Sequence, residues 1–138
     1  MTPSKKEPPN KKKPSKKKPS QKKRRRMSRD EVVRLVELFE GEVNNGGFHQ
    51  FFYNSTGNET AEIIQALETI GARKVADVVR RAAGKFPGGM PPKDRFARQD
   101  LLLDRIDPEI KVFDELDNEF YSDPGDLQAL LERYAGSV

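Results

Sequence analysis

The chain has no cysteine, and that absence removes disulfides, thiolate nucleophiles and zinc–thiolate sites together. It has one histidine, His49, so the paired imidazoles of an HExxH-type metal site cannot be assembled. Long apolar runs are missing too. No stretch approaches the roughly 18 apolar residues that would span a bilayer, and the N-terminus has no apolar core for a signal peptide. The expectation is a cytoplasmic protein with no membrane contact. Residues 2–26 contain none of Ala, Val, Ile, Leu, Met, Phe, Trp, Tyr or Cys. A segment with nothing to bury cannot offset the entropy of ordering, so residues 1–26 are expected to form a disordered arm. A transit peptide is not expected either, because it needs an apolar face.

What the arm has is charge. Ten lysines and three arginines stand against one acid, Glu7, giving net +12, together with five of the chain's ten prolines. The whole chain is +4, so residues 27–138 carry +4 minus +12, or −8, from 13 Lys plus Arg and 21 Asp plus Glu. A basic arm therefore precedes an acidic domain large enough to close one modest core. Lys11, Lys12, Lys13, Lys16, Lys17, Lys18, Lys22, Lys23, Arg24, Arg25 and Arg26 could neutralise phosphates and release counterions. The arm has no aromatic to stack on bases, so such binding would be nonspecific and salt-sensitive. Two other readings stand beside it: a solubilising tail, or an arm that folds over its own acidic domain.

From Met27 onward the pattern is helical. Ser28 with Glu31 is a capping box at the start of a first helix, whose stripe is Val32, Leu35, Val36, Phe39 and Val43. Further helices are predicted over 58–71, 72–86, 94–103, 108–120 and 124–134, with a loop at 87–93. Pro108 and Pro124 each follow an aspartate and are expected in a first helical turn. In the helix over 108–120, Asp114, Glu115 and Asp117 are expected to point away from the apolar side and to remain solvated. No segment alternates in the manner of a strand. The fold class is all-α, a single compact bundle of six or seven short helices behind the arm.

The densest stretch is EVNNGGFHQFFYNSTG at 42–57. Gly46 and Gly47 suit a helix stop, and Phe48, Phe51 and Phe52 then share a buried face at i, i+3 and i+4. His49 and Tyr53, four apart, should lie side by side. Neither Gly46-Gly47 nor Gly88-Gly89 belongs to a phosphate loop, and Ser55 and Thr56 lack the GxSxG context of a nucleophile. His49 has only Glu40 and Glu42 nearby in sequence, across a turn, so it reads as a packed or hydrogen-bonded corner residue rather than a general base. No catalytic residue, metal ligand or cofactor-binding residue emerges, and an enzyme is not expected.

NGGFHQFFYNS at 45–55, with Ala66-Leu67, Ile70-Gly71-Ala72, Leu116-Asp117, Phe120-Tyr121 and LLERY at 130–134, resembles the signature of a bacterial domain family typified by a DNA mimic protein. The family's implied structural motif falls on Asn45, Gly46, Gly47, Phe48, Gln50, Phe51, Phe52 and Asn54. The resemblance implies a small helical domain whose acidic surface occupies a basic or DNA-binding protein. Residues 100–126 hold ten acids against two bases, Arg105 and Lys111, and spaced carboxylates can imitate backbone phosphates. The candidate partner-binding acids are Asp100, Asp104, Glu109, Asp114, Glu115, Asp117 and Glu119. The plainer reading is of solvated helix faces, with Asp107, Asp123 and Asp126 as caps. A nucleic-acid-associated protein that holds DNA or RNA through its arm is the alternative function. The oligomeric state is not legible.

Overall fold

A computed structural model describes residues 26–122 and 125–136. Six α-helices follow in order: α1 (Arg29–Tyr53), α2 (Thr60–Thr69), α3 (Arg73–Ala83), α4 (Arg95–Leu101), α5 (Asp114–Ser122) and α6 (Gly125–Gly136). Short 3-10 turns occupy Ser55–Glu59 and Pro87–Gly89, a π turn spans Leu102–Ile106, and there is no strand among the described residues. The arm positions Lys11 to Lys13, Lys16 to Lys18 and Lys22 to Arg25 lie outside the described residues, as do Asp123, Pro124 and the side chain of Asp126. Arg26 is described and exposed.

α1 opens where the sequence places it, with the Ser28 hydroxyl accepting the Glu31 N–H at 3.1 Å. It breaks at Gly46 and Gly47, whose backbone leaves the helical region. Val32, Leu35, Val36, Phe39 and Val43 on the first limb, and Phe48, Phe51 and Phe52 on the second, are all buried. The break lets one continuous segment fold two apolar faces into one core. Phe39 meets Phe51 edge-on with centroids 5.4 Å apart and Phe120 at 5.6 Å, the tilted geometry that aromatic quadrupoles favour. α6 closes the bundle through buried Leu127 and Leu131, with Leu130 and Tyr134 partly covered.

Gly47 has φ +72° and ψ −170°, a region open essentially to glycine alone. A Cβ there would also run into the Asp117 carboxylate. Gly47→Ala should therefore destabilise the protein by about 1–3 kcal/mol from backbone strain alone, with the steric clash added. Thermal unfolding of the variant checks this, and an unchanged midpoint would show that the corner relaxes freely.

The helix expected over 108–120 is corrected: α5 starts at Asp114. Asp107 caps a turn rather than a helix, its Oδ1 accepting the Lys111 and Val112 N–H groups at 2.7 and 2.8 Å. That bend forces Ile110 to φ +53°, a conformation β-branched residues rarely adopt, and Pro108 never enters a helix. Val112, within the span expected to be helical, is 40% exposed. The fourth helix also departs from the simple reading, since after Leu101 it widens into the π turn.

Candidate protein-interaction surface

The 42–57 motif is built around a carboxylate. Glu42 accepts hydrogen bonds from Gln50 Nε2 at 2.8 Å, Asn54 Nδ2 at 3.0 Å and the Thr56 hydroxyl at 3.1 Å. Asn45 Nδ2 in turn donates to Gln50 Oε1 at 3.1 Å, and a Cβ at Gly46 would collide with the Gln50 side chain. The polar positions of the motif thus tie the two limbs of α1 together across the glycine break. Burial pushes the Glu42 carboxyl up, but the hydrogen bonds from Gln50, Asn54 and Thr56, with the charge of Arg95, outweigh it and hold it below its ordinary value.

A second set of contacts fastens residues 107–121 to the same corner. Phe48 N–H, at the start of the second limb, donates to Asp117 Oδ1 at 2.8 Å, as an N-terminal cap does. His49 Nδ1 meets Asp107 Oδ2 at 2.7 Å, with Asp107 2% exposed. The Tyr121 hydroxyl donates to the Val43 carbonyl at 2.6 Å, satisfying an acceptor where the first limb ends. His49 stacks on Tyr53 with ring centroids 6.4 Å apart and planes 12° apart. The Asp107 carboxylate thus fixes the orientation of the His49 ring. Nor do the described residues contain a cluster of three or more His, Asp or Glu side chains arranged for a metal.

Asp117 is therefore not solvated as the sequence suggests. Burial pushes its carboxyl up, the Phe48 N–H opposes this, Asp114 and Asp107 add repulsion, and His49 partly offsets them. Glu42 and Asp117 then respond oppositely to acid. The lowered pKa of Glu42 contributes stability that is present above its ordinary 4.5 and lost as pH falls through the folded-state value. The raised pKa of Asp117 makes the folded state the stronger proton binder, so its contribution declines as pH rises from 3.8 through the raised value. Glu42→Gln should cost stability at pH 7, by an amount that shrinks toward pH 3. Asp117→Asn, which keeps an acceptor for Phe48, should cost little or nothing at pH 7 and compare less favourably with the wild type in acid. Urea denaturation across that range decides, and identical pH profiles for the two variants would contradict the assignment.

The remaining candidate acids divide by partner. Glu119 takes two bonds from Arg81, at 2.6 and 2.9 Å, which hold its carboxyl below the usual range and tie α5 to α3. Glu109 pairs with Lys111 at 3.1 Å. Asp100, Asp104, Asp114 and Glu115 are exposed and make no ion pair among the described residues. Asp114 and Glu115 occupy the first turn of α5, where negative charge also suits the helix dipole. α1 adds exposed Asp30 and Glu37, and Glu40, whose carboxyl is raised by burial and by Glu37. Sequence reasoning passed over these three because they are spread along an apolar-striped helix and not gathered in a run.

Sequence reasoning also missed Arg98, which is fully buried. Its Nε donates to Phe52 O at 2.7 Å, one terminal nitrogen to Pro92 O and Lys93 O at 2.9 and 3.1 Å, and the other to Asn54 O and Asn58 Oδ1, both at 2.9 Å. Burial pushes the guanidinium down, Arg95 adds repulsion and Asp94 opposes them. Gly57 is required beside it, since a Cβ there would lie 2.8 Å from Arg98 Nε and from Phe51 O. The only forewarning was phase: Arg98 stands four before Leu102 on the inner side of its helix.

These features define a small all-α domain, acidic in net charge, in which a carboxylate-centred corner holds helices whose outer faces carry unpaired acids. The chain belongs to the DMP19-like protein family, which matches residues 27–137 and is a family of DNA mimic proteins. No curated protein and no solved structure gives a significant match. No helix among the described residues is long and apolar enough to cross a membrane.

Proposed function

We propose that this protein is a non-enzymatic interaction module whose acidic helical surface binds a basic, DNA-binding protein in place of DNA, with Asp100, Asp104, Asp114 and Glu115 as its principal charges. Membership of a DNA mimic family supports the class of partner. The observation that carries the choice of residues is that these four carboxylates are exposed without an ion-pair partner among the described residues. Asp117, Glu119 and Glu109 contribute to the field, but each is already engaged by Phe48, Arg81 or Lys111.

Changing Asp100, Asp104, Asp114 and Glu115 together to their amides should leave the fold intact, each exposed substitution shifting stability by within about 0.5 kcal/mol. Binding to the partner, identified by affinity capture with the intact chain, should weaken mainly through the association rate. That loss should shrink with salt as the screening length falls below about 10 Å. Equal association rates at low salt would remove these carboxylates from the mechanism. The other reading, nucleic-acid association through the +12 arm, makes a separate demand: DNA or RNA binding must require residues 1–26.

A further inference from the structure

The outer side of α4 and the π turn combines features that interior packing does not explain. Phe96 is 73% exposed, the most exposed large apolar side chain among the described residues, and Leu103 is 42% exposed. Phe96, Asp100, Leu103 and Asp104 stand at i, i+4, i+7 and i+8, opposite the buried Arg98 and Leu102. Apolar and unpaired acidic side chains therefore share one face. The π turn, closed by the Asp107 N–H on Leu102 O at 2.8 Å, belongs to a rare class of turn that concentrates at functional positions.

We propose that this face is the docking site for the chain's own basic arm, which covers part of the acidic domain until a partner displaces it. A second copy is the poorer occupant, because two such faces brought together would oppose Asp100 and Asp104 to their duplicates. The arm carries +12 against the domain's −8. Beyond Met1 it has no aliphatic or aromatic side chain other than proline, yet lysine and arginine stems lie along apolar surface while their heads reach carboxylates, and a guanidinium can sit over an aromatic ring such as that of Phe96. Reach is no obstacle: 26 residues extend up to about 90 Å, whereas a domain of this size has a radius of gyration of about 13 Å. The tether makes the contact intramolecular, at an effective concentration in the millimolar range. Competition with a partner rests on the proposed function; docking itself does not.

The test uses the full chain without any partner. Because the sequence has no cysteine, Ser15→Cys offers one site for a nitroxide spin label in the arm, read by amide line broadening in the domain. At low salt the broadening should centre on residues 96–104. It should be lost in Asp100→Asn/Asp104→Asn, reduced in Phe96→Ala, and lost as salt approaches about 1 M, where screening acts within about 3 Å. Absence of broadening at low salt, or broadening unchanged in these variants, would overturn the proposal. So would broadening seen only on spin-free, isotopically labelled copies mixed with spin-labelled ones, since the occupant would then be a second molecule.

Discussion

Replacing Arg98 by leucine is expected to cost about 3–5 kcal/mol, because it strips the donor from several poorly hydrated acceptors at once. The guanidinium binds five acceptors drawn from the end of α1, the following turn and the 92–93 loop. Without it, the carbonyls of Phe52, Asn54, Pro92 and Lys93 lose donors, and each acceptor left dry costs about 1–3 kcal/mol. Among the described residues no carboxylate pairs with Arg98, so its contribution lies in geometry: a planar fork satisfies chain ends that no helix can. Arg98→Lys should recover only a minor part, because a compact ammonium has three donors and no fork. Urea denaturation reads both variants, with the midpoint falling at unchanged slope if the folded ensemble stays compact. A loss under about 1 kcal/mol for Arg98→Leu would show that water or relaxation replaces the network.

Phe52→Ala should be comparably damaging, at about 3–5 kcal/mol. Phe52 is wholly buried and touches four other rings, with centroids 4.9 Å from Phe86, 5.0 Å from Phe51, 5.4 Å from Phe113 and 6.2 Å from Phe48. Its truncation opens a cavity where α1, the 84–87 segment and the start of α5 converge. The control is Phe96→Ala, which on exposure alone should change stability by no more than about 0.5 kcal/mol. If the two variants unfold at the same denaturant concentration, the placement of the aromatic core is wrong.

What could be read in advance follows from what is local. The Ser28 cap, the glycine break and the Phe48, Phe51 and Phe52 face all depend on residues within one or two turns, and periodicity captures them. The start of α5 was misplaced because proline after aspartate is a good helix-start signal that cannot report a competing turn. Asp107 spends one carboxylate oxygen on that turn and the other on His49, 58 residues earlier. Glu42 illustrates the same limit, since its donors at Gln50, Asn54 and Thr56 lie beyond a break whose angle no periodicity gives. The acidic run was visible as composition, but which acids are spent on structure was not: Asp117 and Glu119 stand two apart on one helix, one capping Phe48 and the other gripping Arg81 of α3.

Charge alone does not make a mimic, for a mimic must occupy the surface its partner uses for DNA. The most direct measurement is competition: the partner captured by the intact chain is bound to a fluorescent duplex and titrated with this protein at fixed salt. Full displacement of the duplex is expected. The amide variant of Asp100, Asp104, Asp114 and Glu115 should displace it only at much higher concentration. A ternary complex of partner, duplex and protein, in which the duplex stays bound at saturation, would contradict it.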